Sequence, residues 1–64
     1  MIPPTVREML DDLRDAGMAC GRIGRAIGVS EFAVWAWAKG KHKPTPYARR
    51  RLEALHSHLA AWSA

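Results

Sequence analysis

The chain has 64 residues, a formal net charge of +4, a single cysteine and 48% hydrophobic residues. A chain of this length predicts one domain, residues 1–64, with a small core. One cysteine excludes an internal disulfide and favours a reducing, cytoplasmic setting. No apolar run approaches the length of a membrane span and no signal-peptide pattern opens the chain, so we expect no membrane partner.

The first predicted helix runs from about Val6 to Ala16. Thr5 followed by Glu8 is a capping-box pattern, in which each side chain satisfies a free backbone N–H of the other residue. Gly17 marks the end of the helix. Apolar residues recur at helical spacing, at Val6, Met9, Leu10 and Leu13.

The next segment predicts two short helices joined by a tight turn, over about residues 19–38. The second helix, about residues 19–27, contains two glycines that lower its propensity, so tertiary contacts must hold it. Gly24 leaves room for the following helix to cross closely. After a turn at residues 28–30, Ser30 can cap a third helix over about residues 31–38. This is the helix-turn-helix pattern, whose second helix can lie in a DNA major groove.

A basic loop at residues 39–43 follows and ends at Pro44. Thr45 can then cap a fourth helix over about residues 46–62. The apolar stripe of this helix is Ala48, Leu52, Leu55, Leu59 and Trp62. The stripe resembles a heptad seam but is too short to predict a coiled coil. The sequence predicts a compact all-α bundle of four helices, or five if the last helix breaks near residues 56–58.

Positive charge is concentrated in the middle of the chain. Residues 22–51 hold eight basic residues against Glu31 alone, a net +7, whereas residues 1–21 hold two basic and four acidic residues, a net −2. Such a region attracts a polyanion through counterion release, without reading its sequence. A generic solvated surface is the alternative. The candidate contacts to a DNA backbone are Arg22, Arg25, Lys39, Lys41, His42, Lys43, Arg49 and Arg50.

A set of apolar, small and basic residues carries a resemblance to a known family. They are Met18, Ile23, Gly24, Ile27, Gly28, Val29, Ser30, Val34, Trp37, Gly40, Lys41, His42, Lys43 and Pro44. Over about residues 10–55 the chain resembles the phage Cro and repressor proteins, the lambda-repressor-like or XRE-like helix-turn-helix family. The chain departs from that family at Ala19 and Cys20, where members often carry Ser or Thr and then Gln, and at Ala38, where an acidic residue is common.

This resemblance implies a transcriptional repressor of the Cro type, from a phage or prophage. It would act in the bacterial cytoplasm, at the nucleoid, as a dimer on a palindromic double-stranded DNA operator. The third helix would lie in the major groove. A small all-helical chain is similar to the helical Cro proteins rather than to those that end in a β-hairpin.

The groove-facing positions of the third helix are expected to be Glu31, Phe32, Trp35 and Ala36. Glu31 can accept a hydrogen bond from a cytosine amino group or serve only the helix dipole. Phe32 and Ala36 can contact thymine methyl groups, although Phe32 can also fold over the junction of the second and third helices. Two placements are possible for the Trp35 side chain: it can lie along the sugar–phosphate backbone of the groove, or it can pack over the fourth helix. Trp37 is expected in the core.

Dimerisation is assigned to Leu59 and Trp62, which we expect to lie beyond the reach of the first three helices and to form a weak two-fold interface. Two other functions remain open. One is a protein-interaction module in which Phe32, Trp35 and Trp62 form an apolar patch. The other is an antitoxin or excision-type regulator on the same fold.

The sequence gives no support for catalysis or for a cofactor. It contains no nucleophile paired with a base, no phosphate-binding loop and no paired carboxylates in a pocket. Cys20, His42, His56 and His58 lack the spacing of a zinc site, and we expect the last two to be exposed to solvent. We therefore expect no enzyme, no metal, no cofactor and no small-molecule ligand.

Overall fold

The computed structural model describes residues 2–63, with side chains through residue 59. This part of the chain forms four α-helices and no strand: α1 (Val6–Asp15), α2 (Cys20–Ile27), α3 (Glu31–Ala38) and α4 (Pro46–Ser63). The all-α bundle predicted from helical spacing is confirmed. The five-helix alternative is wrong, because α4 continues without a break through residues 56–58.

Hydroxyl side chains fix where three of the helices begin. The capping box predicted at α1 is present, with the Glu8 N–H donating to Thr5 Oγ1 at 3.1 Å and the Thr5 N–H donating to Glu8 Oε1 at 2.9 Å. The second of these bonds holds the pKa of Glu8 below its ordinary value, since it favours the charged carboxylate. Ser30 accepts from the Ala33 N–H, and Thr45 accepts from the Ala48 N–H.

The crossing of α2 and α3 depends on two glycines. Gly24 is buried, and a Cβ at this position would lie 2.6 Å from the carbonyl oxygen of Val29 and 3.1 Å from that of Ser30. Gly28 ends α2 in the left-handed region, with φ of +81°. The chain can therefore reverse in the few residues before α3 while the turn packs directly on the α2 backbone.

The core lies where the four helices meet. Its buried members are Met9, Leu10, Leu13, Ile23, Ile27, Val34, Trp37, Ala48 and Leu52. Leu55 and Leu59 are partly buried and pack against this cluster. The expectation that Leu59 lies beyond the reach of the first three helices is therefore wrong, because α4 runs back along the bundle and keeps its stripe on the core. Trp62 lies outside the described side chains.

Two polar contacts tie α4 to the rest of the bundle. His56 Nε2 lies 2.7 Å from Asp12 Oδ2 on α1, and the His56 side chain is only 19% exposed. The expectation of a solvent-exposed histidine is wrong for His56, because Asp12 draws it onto α1, whereas His58 is exposed. Arg51 Nε donates to the carbonyl oxygen of Ile27 at 2.8 Å and so joins α4 to the end of α2.

Candidate functional site

The third helix divides into a buried side and an exposed side. Val34, Ala36 and Trp37 are buried, at 0%, 1% and 7% exposure. The exposed side carries Glu31, Phe32 and Trp35, and we call these three residues the α3 face. Because α3 packs against both α1 and α2, more of its circumference is buried than if it packed against one helix.

Ala36 was expected to point toward the groove, and this expectation is wrong. At 1% exposure its side chain lies inside the bundle and cannot touch a base. The loop after α3 adds to its cover, since the Lys41 N–H donates to the Ala36 carbonyl oxygen at 2.9 Å. The α3 face is therefore smaller and more aromatic than the sequence suggested.

Two aromatic rings dominate the α3 face. Phe32 is 67% exposed and Trp35 is 38% exposed. Their ring centroids lie 5.8 Å apart, with the ring planes inclined by 31°. At this exposure Phe32 is not folded away over the junction of α2 and α3. Trp35 lies beside the Phe32 ring and borders the start of α2. Both rings are thus presented to the outside.

Lysine side chains stand beside this aromatic pair. Lys41 Nζ lies 5.3 Å from the centroid of the Trp35 ring, and Lys39 Nζ lies 6.0 Å from it. Both distances are within the range of cation–π contacts. Positive charge is therefore held next to the α3 face, in the arrangement expected of a surface that meets a phosphate backbone.

Glu31 faces the beginning of α2 rather than open solvent alone. Its carboxylate lies 3.4 Å from the point where a side chain on Gly21 would begin. The start of α2 has no acidic residue, and its N-cap residue Ala19 makes no side-chain hydrogen bond. The Glu31 carboxylate brings negative charge to the first turn of α2, where it complements the positive end of the helix dipole.

An open groove of about 450 Å³ runs beside the α3 face. It is lined by Arg14, Ala19, Cys20, Glu31, Phe32 and Trp35. Cys20 is partly buried here, as a small residue at the start of α2. Arg14 was not assigned a role from the sequence, because it lies in the net-negative segment and only the fold brings it beside α3.

A second cleft, of about 360 Å³, lies where the start of α1 meets the loop before α4. Among the residues that line it are Arg7, Trp37, His42, Lys43 and Arg49. Three of these were predicted backbone contacts, and Arg7 joins them through the fold. Arg49 also pairs with Glu53, its Nε lying 3.3 Å from Glu53 Oε2. The other predicted backbone contacts, Arg22 and Arg25 on α2 and Arg50 on α4, are exposed.

Arg51 is a functional candidate that sequence reasoning left without a role. Besides its bond to the Ile27 carbonyl, its guanidinium carbon lies 5.7 Å from the centre of the Tyr47 ring, and Nη1 donates to the Tyr47 hydroxyl at 3.3 Å. A cation at the C-terminus of α2 complements the helix dipole. Spacing gives no signal for this contact, because Arg51 and Ile27 are 24 residues apart in the chain.

The described residues provide neither a metal site nor a membrane span. No group of three or more His, Cys, Asp and Glu side chains there is placed to hold a metal ion. None of the helices in residues 2–63 combines the length and apolar character needed to cross a bilayer.

Compared with protein-family models, curated proteins and solved structures, the chain matches none.

Proposed function

We propose that the protein is a sequence-specific double-stranded DNA-binding repressor of the Cro type, in which α2, the turn and α3 form a helix-turn-helix. The observation that carries the proposal is the α3 face, an exposed helix surface beside Lys39 and Lys41. An α-helix with its side chains is about 10–12 Å across, and the major groove of B-DNA is about 12 Å wide. A helix presented in this way can enter that groove.

Cations near α3 and on α2 and α4 supply the backbone contacts of the proposal. The exposed basic residues are Arg22, Arg25, Lys39, Lys41, His42, Lys43, Arg49 and Arg50. Contacts of this kind position a protein on DNA without reading its bases, so specificity must come from the α3 face. Repression would follow from occupation of a promoter, in the cytoplasm of a bacterial host of a phage or prophage.

A two-fold dimer completes the proposal. One α3 covers only a few base pairs, and pairing two copies on a palindrome provides the specificity that a repressor needs. Leu59 is partly buried against the core, which reduces the surface that it can offer to a second copy. A weak dimer that DNA strengthens remains the proposal, because two adjacent half-sites hold the subunits at high effective concentration.

Selection of bound sequences from a random duplex pool tests this function. The proposal expects an enriched palindromic motif whose half-sites are about 34 Å apart, or one helical turn. A parallel selection with Trp35→Ala, which changes the α3 face but not the core, should enrich a weaker or different motif. Recovery of no motif by the wild type, with binding that ignores sequence, would contradict sequence-specific repression.

A second candidate, a protein-interaction module, is favoured by one observation. Phe32 is 67% exposed beside a groove with apolar walls, and a patch of this kind is typical of a protein contact surface. An antitoxin or excision-type regulator would combine this contact with DNA binding. Lys41→Ala distinguishes the DNA-binding repressor from the protein-interaction module. The substitution should weaken DNA binding but leave an apolar protein contact nearly unchanged.

A further inference from the structure

The α3 face offers few hydrogen-bonding groups to a base. Phe32 has none, and Trp35 has only its indole N–H donor. Guanine is read by a pair of donors, from Arg or Lys, and adenine by the paired donor and acceptor of Asn or Gln. No residue of the α3 face has either pair. Hydrogen bonding by α3 itself therefore cannot be the main source of specificity.

Glu31 is the remaining polar residue, and it is turned toward α2. Its carboxylate lies 3.4 Å from the Cβ position of Gly21, in the first turn of that helix. Reading a cytosine amino group would require the carboxylate to leave this helix terminus. The one acceptor on the α3 face is thus turned toward α2 in the structure, while the two aromatic rings face outward.

The α3 face instead offers an apolar surface, which can contact a methyl group on a base. The rings of Phe32 and Trp35 lie 5.8 Å apart, and the adjoining groove of about 450 Å³ is walled in part by Ala19 and Cys20. In the major groove, thymine displays a methyl group on C5, which apolar side chains contact. A 5-methylcytosine displays the same methyl group at the same ring position.

We propose that α3 reads DNA through the C5-methyl groups of pyrimidines, with Phe32 as the residue that makes the contact. The inference rests on the proposed function and deepens it, since it names the chemical feature that the site recognises. Lys41, with Nζ 5.3 Å from the Trp35 ring centre, lies where it can neutralise a phosphate next to that contact. The preferred half-site is then rich in thymine at the positions that face Phe32.

Duplexes that differ only in this methyl group test the inference. Fluorescence anisotropy would compare four alternating duplexes of one length and charge: A·T, A·U, G·C and G·5-methylcytosine. Burying one methyl group corresponds to about a 4-fold change in affinity, so the A·T duplex should bind several-fold more tightly than A·U. Tighter binding of G·5-methylcytosine than of G·C would show that the methyl group itself is read. A preference for A·T over A·U with equal binding of G·C and G·5-methylcytosine would overturn the proposal that the methyl group itself is read.

Two variants of Phe32 serve as controls in the same assay. Phe32→Ala should abolish the difference between A·T and A·U while keeping salt-dependent binding to both. Phe32→Leu, which retains an apolar side chain, should keep most of the difference. Because Phe32 is 67% exposed, both variants should fold, and circular dichroism during heating would verify this.

The failures of the inference and of the proposed function are distinguishable. Salt-dependent binding of equal strength to A·T and A·U would overturn methyl reading and leave DNA binding intact. A difference that persists in Phe32→Ala would overturn the role of Phe32 in reading the methyl group. Absence of salt-dependent binding to all four duplexes would overturn both proposals.

Discussion

Gly24 is the residue with the least room for change. A Cβ on Gly24 would lie 2.6 Å from a backbone oxygen of the turn, which cannot move without displacing α3. Gly21, one turn earlier, faces only the flexible end of Glu31 at 3.4 Å. The helix crossing therefore requires glycine at position 24 but leaves room for a larger side chain at position 21.

Alanine substitution should separate these two glycines. Overpacking at Gly24→Ala should cost about 1–3 kcal/mol, against roughly 1 kcal/mol that alanine gains in helix propensity, so the free energy of unfolding should fall by up to about 2 kcal/mol. Gly21→Ala should instead be neutral or stabilising by up to about 1 kcal/mol. Urea denaturation measures both values. Equal stabilisation of the two variants would contradict the close crossing of α2 and α3.

Trp37 and Trp35 provide a second matched pair, two residues apart on α3. Trp37 is 7% exposed, and cutting a buried Trp or Phe to Ala costs roughly 3–5 kcal/mol, so Trp37→Ala should unfold the domain or nearly so. Trp35 is 38% exposed, and Trp35→Ala should cost far less while weakening DNA binding. Thermal melting followed by circular dichroism checks the contrast. A Trp37→Ala variant that melts like the wild type would show that this residue is not in the core.

At the scale of elements, α2 depends on its neighbours. It has no capping side chain of its own at Ala19, and residues from other helices lie at its two ends. The Glu31 carboxylate lies over its first turn, and Arg51 donates to the Ile27 carbonyl at its end. The position of α2 against α3 therefore depends on side chains that lie outside α2.

Removal of the Arg51 contact should therefore loosen α2. Arg51→Ala should lower the free energy of unfolding by about 1.5 kcal/mol, the low end of the range for a hydrogen bond with one charged partner, because Arg51 is exposed. Arg50→Ala, an exposed neighbour on the same helix, should change stability by less than about 0.5 kcal/mol. Amide hydrogen exchange should show faster exchange in α2 for the first variant only. Unchanged exchange in Arg51→Ala would contradict the stabilisation of α2 by Arg51.

The helix boundaries and most of the two sides of α3 could be predicted from the sequence, but the width of its buried side could not. Thr5, Ser30 and Thr45 are local capping signals, and each acts within three residues. On α3, however, every residue after Glu31 is apolar, so periodicity does not indicate how wide the buried side is, and Ala36 was misplaced for that reason. The contact of His56 with Asp12 joins residues 44 apart, which only the assembled bundle brings together.

In the whole molecule, the fold brings together basic residues that lie in separate segments of the sequence. The first 21 residues carry a net −2, yet Arg7 and Arg14 from this segment line the two clefts beside the basic loop and the α3 face. The acidic residues of α1 include Asp12, which pairs with His56 on α4. A cationic surface around the α3 face is thus a property of the tertiary structure as well as of the central segment.

The dependence of DNA binding on salt distinguishes a DNA-binding surface from an ordinary solvated basic one. With about five phosphates neutralised per monomer, the logarithm of the binding constant should fall against the logarithm of salt concentration with a slope of about −4 to −5 per monomer. The variant with Lys41→Ala and Lys43→Ala should weaken specific and non-specific binding alike and reduce that slope by about 2, since each lysine contributes about 0.9. A binding constant that stays the same from low to physiological salt would contradict the claim that this surface binds DNA.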